Sequence, residues 1–419
     1  MKKMIHTIII LMITASLQAQ VSLEECQTMA LELYPLRQQT GLIEKARESS
    51  LDIADSTYLP RLILSAKASY QSDVTAFPLS LPGVSIEEMS KDQYQVLLNL
   101  NQTLWDGGKT ASQKQLINAS SHADRKTLDV ELYTLKSRVN QLFFGILLLE
   151  EQLDQNSLFI SDLETNYTRV LSLYDYGMAQ NSDLNSIKVE LLKAKQARTE
   201  LESARQSYRS MMSEMTGLTL GQDTELLRPQ GTKKSSSAVG MNRPEAHLYQ
   251  AKQDVLEAKT EIIHANLMPR LGAYVQGGFG RPGLNMLENS FSPFYITGIT
   301  LEWSLDSFYS RGSELKSIEI EKQKVNSQLE TFLYNIELQI KDQISELERL
   351  EQLIEMDSQI ISFRREIKED AEIQLENGTI TVSDLLKVIN EENMASQKKS
   401  LHEIQRLQTL YELNYLMNE

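Results

Sequence analysis

The histidines and methionines are the residues with which metal chemistry would begin. The histidines are widely spaced, at His6, His122, His247, His264 and His402. No two of them lie three to five residues apart, the spacing that lets two imidazoles on one helix hold a metal ion. Met211, Met212 and Met215 offer sulfur to a soft metal, but a cluster of this kind more often packs a helix. The sequence therefore predicts neither a metal site nor a bound cofactor.

Two serine–lysine pairs have the spacing of a nucleophile and its base. Ser313 precedes Lys316, and Ser396 precedes Lys399, but both pairs fall in helical patterns and lack the companion motifs of that enzyme class. The sequence also contains no phosphate-binding loop, dinucleotide fingerprint or nucleophile elbow. We therefore predict a protein that is not an enzyme.

The charge balance excludes one class of partner. The 42 basic and 57 acidic residues give a formal net charge of −15, whereas a nucleic-acid-binding protein needs a basic face. Proline and glycine are scarce and 41% of the residues are hydrophobic, a composition typical of a folded chain. We therefore expect a folded protein with no nucleic-acid partner.

The first 20 residues have the pattern of a secretory signal peptide. Lys2 and Lys3 form its positive start, and Ala19 or Gln20 offers the cleavage position. The apolar run between them, Ile5–Leu17, is too short to span a bilayer. No later run of about 18 apolar residues occurs, so no transmembrane helix is expected.

One apolar seam organises the chain. Its residues step by four and three along a predicted helix, as do the a and d positions of a coiled coil: Leu128, Leu132, Leu135, Val139, Leu142, Ile146, Leu149 and Leu153. No proline lies between Pro82 and Pro229, so nothing stops this helix from growing long. A helix from residue 109 to residue 176 would be about 100 Å long.

The same seam recurs 201 residues further on. Seven of its eight positions are again apolar, from Leu329 to Ile354, and Gln343 is the exception. The turn that ends the first helix is repeated as well, as Gly177, Ser182, Asp183 and Leu184 and then as Gly378, Ser383, Asp384 and Leu385. The chain is therefore a tandem duplication of a long helical hairpin. Ser182 is the predicted N-cap of the first return helix.

Each half also contains two segments in which apolar and polar residues alternate. They cover about residues 62–72 and 93–104 in the first half, and 271–280 and 293–304 in the second. Alternation of this kind predicts β-strands. A tilted strand of about ten residues can cross a bilayer, and the alternation suits a barrel with a wet interior.

Tryptophan occurs only at Trp105 and Trp303, at the two strand-to-helix junctions. Tryptophan is enriched at membrane–water interfaces, so we interpret both residues as membrane-interface anchors. Four strands cannot close a barrel, and an open edge in hydrocarbon leaves backbone groups unpaired. Two, three or four copies of the chain must therefore pool their strands, and the residues themselves do not choose among these numbers.

Several features occur together in a recognisable order: the signal peptide, the tandem halves, Leu23-Glu24-Glu25-Cys26 with Ala30-Leu31, Leu59-Pro60 before a strand, Leu104-Trp105-Asp106-Gly107-Gly108 after the next, and two turns ending in Ser-Asp-Leu. In this combination the chain resembles the TolC family of outer-membrane efflux proteins. The resemblance covers the whole mature chain. It implies a mainly α fold with a small β part, in which three chains form a 12-stranded β-barrel and a periplasmic α-barrel.

The resemblance also implies a function. The chain would be the outer-membrane channel of a tripartite efflux or type I secretion system, a passive trimeric duct in the bacterial outer membrane with a long periplasmic part. Its partners would be outer-membrane lipid, a periplasmic adaptor (membrane fusion) protein and an inner-membrane transporter. The alternative is a soluble periplasmic coiled-coil scaffold or chaperone, which explains the helices and the acidity but not four strands of membrane length.

The two repeated turns would form the periplasmic tip. The candidate residues for adaptor contact and gating are Gly177, Asp183, Leu184, Gly378, Asp384, Leu385 and Lys387. Studied family members have a second acid three residues after the position of Asp384, where this chain has Lys387, so a double acidic ring is not expected. Asp183 and Asp384 fit equally well as first-turn acids that the helix dipole favours.

These observations divide the chain into eight segments. They are the signal peptide (1–20), N-terminal periplasmic helices (21–60), a β-hairpin (61–105), a long helix with tip turn and return helix (106–216), an equatorial connector (217–241), a helix (242–268), a second β-hairpin (269–305), and a second long helix with tip turn and C-terminal helix (306–419).

Overall fold

The computed structural model of the chain describes residues 20–74, 89–221, 224–231, 242–286 and 288–418. The predicted signal peptide has only Gln20 within these residues, so it remains a prediction.

Seven α-helices and four β-strands are formed by the described residues. In chain order they are α1 (Leu23–Leu33), α2 (Gln39–Asp55), β1 (Arg61–Tyr70), β2 (Asp92–Trp105), α3 (Lys109–Asp175), α4 (Asn181–Thr216), α5 (Pro244–Asn266), β3 (Arg270–Arg281), β4 (Ser292–Glu302), α6 (Ser307–Glu376) and α7 (Val382–Met417). The fold is mainly α with a small β part, as predicted. Within this part of the chain, no helix combines the length and the apolar character needed to cross a membrane.

The elements belong to two compact units. The helical unit takes its described residues from 1–39, 127–247 and 329–419, and the sheet unit takes them from 40–126 and 248–328. Each unit contains parts of both sequence repeats. The duplication therefore does not divide the molecule into two bodies, because both repeats contribute to each unit.

The heptad seams lie in the core of the helical unit. Their most deeply buried residues are Leu128, Leu135, Val139, Ile146 and Leu153 in α3, and Ile336, Ile340, Leu347 and Leu350 in α6. The remaining seam residues are half-buried. Full burial of one such side chain contributes about 1.5–3 kcal/mol, so the repeated seam is a major source of stability in this unit.

Helix α1 packs against the first of these seams. The Ser22 hydroxyl caps the helix by accepting a hydrogen bond from the Glu25 backbone N–H at 3.1 Å. Leu23, Cys26 and Ala30 are buried on one face. Burial, together with the charges of Glu25 and Glu24, raises the pKa of the Cys26 thiol to about 11. This thiol is therefore protonated and inaccessible at neutral pH.

Arg243 is a buried cation that lies just before α5. Its guanidinium lies over three aromatic rings, 5.1 Å from the centre of Tyr133, 5.2 Å from that of Tyr415 and 5.7 Å from that of Phe332. It donates hydrogen bonds to both carboxylate oxygens of Glu245, at 3.1 and 2.6 Å. It also donates to the backbone carbonyls of Tyr415 and Leu416, at 3.2 and 3.1 Å. The end of α7 is therefore fastened to the start of α5 around a neutralised charge.

The sheet unit contains one antiparallel sheet with the strand order β1-β2-β3-β4. The strands are 10, 14, 12 and 11 residues long. β1 and β4 are the outer strands, and in the described part of the chain each pairs on one side only. Backbone groups along two edges are therefore open to another strand.

Glycine is required where β2 gives way to α3. Gly107 has a φ of 73°, and a Cβ on it would lie 2.6 Å from the Cβ of Met268. Asp106 supports the start of the helix from upstream, because its carboxylate accepts hydrogen bonds from the backbone N–H groups of Gly108 at 3.0 Å and Thr110 at 2.7 Å. A side chain at Gly107 would disturb both the turn and its contact with the segment between α5 and β3.

Candidate functional site

One face of the sheet is apolar across all four strands. The register brings together Leu62, Leu64, Ala66 and Ala68 of β1, Tyr94, Val96, Leu98 and Leu100 of β2, Ala273, Val275, Gly277 and Phe279 of β3, and Tyr295, Thr297, Ile299 and Leu301 of β4. None of these sixteen residues is charged, and nearly all are exposed. The charges in phase with them, Arg281 and Asp92, lie at the end away from the helices and pair with each other. A contiguous apolar surface of this kind marks contact with a membrane or a partner.

The opposite face of the sheet is mostly polar. Asn99 accepts a hydrogen bond at 2.7 Å from the side-chain amide of Gln276 on the neighbouring strand. The alternation is not perfect, because Leu97, Phe294 and Ile296 also lie on this face. A sheet with one apolar face and one largely polar face suits a wall between lipid and water.

The two tryptophans lie at the end of this sheet that joins the helices. A β-bulge between Thr103 and Trp105 shifts the register and pairs Trp105 with Leu271, a position in phase with the apolar face. Trp303 follows β4 directly, and its indole N–H donates to the backbone carbonyl of Leu267 at 3.0 Å. Both rings are exposed, which leaves an apolar body with a satisfied or accessible polar tip.

Each helical turn is closed by a glycine in the left-handed conformation. Gly177 and Gly378 have φ values of 75° and 67°. Beyond them, the Met178 N–H donates to the Leu173 carbonyl at 2.8 Å, and the Thr379 N–H donates to the Gln374 carbonyl at 2.9 Å. This is the Schellman arrangement that ends a helix. The two predicted turns therefore have the same local structure.

The two turn aspartates cap the return helices. The Asp183 carboxylate accepts a hydrogen bond from the Gln180 N–H at 2.8 Å, and Asp384 accepts from the Thr381 N–H at 3.1 Å and the Thr381 hydroxyl at 2.6 Å. The prediction that Ser182 is the N-cap is wrong. The cap is Gln180 and the helix begins at Asn181, because Asp183 at the third helical position completes the cap from inside the helix.

Hydrogen bonds stabilise the ionised form of the second of these acids. The Thr381 hydroxyl and backbone N–H lower the pKa of Asp384 below its usual range, and Lys387 adds a smaller effect in the same direction. Asp384 is exposed, so it presents a fixed negative charge at the turn.

The remaining predicted turn residues separate into two kinds. Leu184 and Leu385 are buried in an apolar cluster with Val170 and Leu375, so they hold the turns from beneath and do not offer a contact surface. Lys387 is exposed and stands where a second acid would be needed for a double ring.

Ion pairs near the turns join the two helical hairpins, and no local sequence pattern predicts them. Lys368 of α6 pairs with Asp162 of α3 and lies 3.7 Å from a carboxylate oxygen of Glu392 of α7. Arg169 of α3 contacts Glu372 of α6 at 3.1 Å. Each basic side chain is at least half-buried, so the low dielectric strengthens these contacts relative to surface pairs.

A second heptad stripe runs along α6. Met356, Ile360, Phe363 and Ile367 step by four and three, and all four are exposed. They lie beside the buried seam of the same helix without contributing to any described core cluster. A stripe with this spacing is suited to packing against another helix.

The described residues hold no group of three or more His, Cys, Asp or Glu side chains that could bind a metal ion. His402 instead lies in a helix interface, with its Nδ1 2.6 Å from a carboxylate oxygen of buried Asp357. The polar contact satisfies both buried groups, which is a packing role.

A two-faced sheet with open edges, joined to long coiled-coil hairpins, defines a class of membrane channel with an extended helical part. Residues 29–218 and 239–419 match the family described as Outer membrane efflux protein. The chain belongs to the outer membrane efflux protein family. It is therefore an efflux channel of the outer membrane with a long periplasmic helical part, and not an enzyme. The alternative of a soluble periplasmic scaffold or chaperone is wrong.

Solved structures show the same fold at low sequence identity. The channel CusC has a TM-score of 0.71 at 14% identity, with 95% of this chain and 92% of that chain covered. The Campylobacter jejuni CmeC outer membrane channel has a TM-score of 0.66 at 14% identity, with 94% and 85% covered. The open state of the Neisseria gonorrhoeae MtrE outer membrane channel has a TM-score of 0.67 at 15% identity, with 94% and 88% covered. No curated protein matches the chain. The predicted TolC-like fold is confirmed.

Proposed function

We propose that the chain is the outer-membrane component of a tripartite efflux or type I secretion system and acts as a passive trimeric exit duct. The observation that carries the proposal is the sheet, with its apolar face, its mostly polar face and two open edges. In hydrocarbon, each unpaired backbone group along such an edge costs several kcal/mol. Pairing β4 of one copy with β1 of the next removes that cost and encloses the polar face.

The number of copies is three in this proposal, because the family resemblance implies a barrel of twelve strands. The exposed stripe of Met356, Ile360, Phe363 and Ile367 supplies a second contact, since helices of neighbouring copies can pack there. Trp105 and Trp303 then lie at the lipid–water boundary as anchors.

The turn end of the helices meets the periplasmic adaptor, which connects the duct to an inner-membrane transporter. Gly177 and Gly378 shape this surface, and Lys387, Tyr176 and Met178 are exposed on or beside it. The adaptor and the transporter supply the energy, because the chain carries no nucleotide-binding motif.

The duct opens at the turns when α6 and α7 shift against α3 and α4. The Lys368–Asp162 and Arg169–Glu372 pairs oppose that shift. Asp183 and Asp384 present negative charge at the opening, and Leu184 and Leu385 keep each turn attached to its hairpin.

Reconstitution of the purified chain in a planar lipid bilayer tests the proposal. We expect trimeric particles in detergent and discrete conductance steps in the bilayer. A chain that stays monomeric, or that inserts without conducting, would refute the duct.

A second experiment tests the adaptor surface. The double variant Tyr176→Ser with Met178→Ser should lose co-purification of a periplasmic adaptor from native membranes while its channel still forms. Leu158→Gln serves as the control, because Leu158 is an exposed leucine of α3. Equal recovery of the adaptor with both variants would show that the adaptor does not bind at this turn.

A further inference from the structure

The charges on the polar face of the sheet are distributed unevenly. Arg61, Arg270 and Glu302 lie toward the end that joins the helices, and Arg270 and Glu302 are direct register partners. Among the strand residues of this face, Lys67 is the only charged one toward the other end; Lys91, which precedes β2 in the same phase, lies two rows further out beside Gln71. Its row across the sheet continues through Gln95, Gly280 and Ser292, none of which is charged.

The rows beside Lys67 are also without charge. Ser65 and Ser69 flank it on its own strand, and the next row toward the helices contains Leu97, Gly278 and Phe294. The Lys67 side chain is exposed, and no acidic group among the described residues of this face lies near it. Apolar walls focus the field of a charge into the adjoining water. Lys67 is therefore the one charge that the strands themselves place on this part of the face.

We propose that Lys67 forms a basic ring inside the barrel that attracts and selects anionic groups of passing cargo. The inference rests on the proposed function, because only a closed sheet turns the polar face inward and repeats Lys67 at one height. Rings of lysine or arginine are the common basis of anion preference in pores. This ring has the opposite sign to the aspartates at the helical turns, so the duct carries two selectivity elements in series.

The experiment uses the variant Lys67→Cys in planar bilayers with a tenfold KCl gradient. The native thiol, Cys26, is fully buried, so water-soluble thiol reagents address only the new residue. A reagent that leaves an ammonium group should restore the reversal potential of the wild-type channel. A reagent that leaves a sulfonate group should shift it toward the cation potential, more strongly at low salt because screening weakens at low ionic strength.

Ala66→Cys is the matched control. Ala66 is the adjacent residue, is equally exposed in the single chain and lies on the apolar face. In the bilayer it should resist the charged reagents that label Lys67→Cys. Labelling of Ala66→Cys alone, or the same reversal potential after both reagents, would overturn the inference.

Failure of the duct itself gives a different result, because the wild-type channel would then not conduct. Lys67→Gln and Lys67→Arg test the charge of this residue without any thiol reagent. We expect the glutamine variant to shift toward cation preference and the arginine variant to keep the wild-type value. If the wild type conducts and neither Lys67→Cys nor Lys67→Gln does, Lys67 is a structural residue and the inference is wrong.

Discussion

The two long helices carry the same seam but differ in one neighbouring stripe. In α6 that stripe is Met356, Ile360, Phe363 and Ile367, all exposed. The positions 201 residues earlier in α3 are Gln155, Phe159, Asp162 and Asn166, of which Asn166 is buried and the others are half-buried. The stripe positions of α3 are therefore covered by other parts of the chain, whereas those of α6 form an exposed apolar surface.

This difference indicates how one duplicated hairpin serves two purposes. The seam keeps each hairpin folded, so it is retained in both repeats. In α3 the polar residues of the stripe make internal contacts, such as Asp162 with Lys368. In α6 the apolar residues are free to contact another copy. In the proposed trimer, folding and assembly therefore use different rows of the same helix.

The largest expected effect tests the shared seam. Val139 and Ile340 occupy equivalent, buried positions in the two repeats, and aspartate at either would bury an unpaired charge. Val139→Asp and Ile340→Asp should each lower the free energy of unfolding by about 3–5 kcal/mol. Denaturant unfolding followed by circular dichroism measures this. A large loss in only one variant would show that the two seams are not equivalent.

The next effect separates assembly from folding. Phe363→Gln should weaken or abolish the trimer while leaving the helical content of the chain unchanged, because in the proposed trimer this side chain packs against another copy. Leu158→Gln is the control, since Leu158 and Phe363 are 63% and 62% exposed. Analytical ultracentrifugation in detergent reports the oligomer. Equal trimer content in both variants would show that the α6 stripe is not part of the interface.

A smaller effect concerns the ion pairs that join the hairpins. Lys368→Gln removes the contacts with Asp162 and Glu392, which we expect to favour opening by roughly 1 kcal/mol, or several-fold in open probability. Lys193→Gln, which removes an exposed pair within α4, is the control. Single-channel recording distinguishes them. An unchanged open probability in Lys368→Gln would mean that these pairs do not hold the turns closed.

The smallest effect compares the two caps. Thr381→Ala removes a hydroxyl cap and should cost about 1 kcal/mol, whereas Gln180→Ala should cost less, because the Gln180 backbone makes the contact with Asp183. Thr381→Ala should also raise the pKa of Asp384 toward its ordinary value, because the Thr381 hydroxyl bond that lowers it is lost. The folded-state pKa of Asp384 is lowered, so its ionised carboxylate stabilises the folded turn at neutral pH. That stabilisation is lost as the pH falls through the folded-state pKa.

The pH dependence of channel block by a multivalent cation measures this last change. The block should fade at a higher pH in Thr381→Ala than in the wild type. Identical profiles would indicate that Asp384 does not face the permeation path.

The sequence predicts the repetitive parts of this fold well and the long-range contacts poorly. The strand starts at Arg61 and Asp92 fall one residue from the predicted positions, because alternation and prolines are local signals. Ser182 was a reasonable cap by residue preference, but Gln180 takes that role through Asp183. The pair of Lys368 with Asp162 spans 206 residues, and no local pattern identifies which charges meet.

The packing around Arg243 has a practical consequence for anyone who shortens or tags this chain. Deleting residues 415–418 would remove one aromatic ring and two carbonyl oxygens from the Arg243 guanidinium at once, leaving Glu245 as its remaining hydrogen-bond partner. A purification handle is therefore safer when it leaves the last turn of α7 intact than when it replaces that turn.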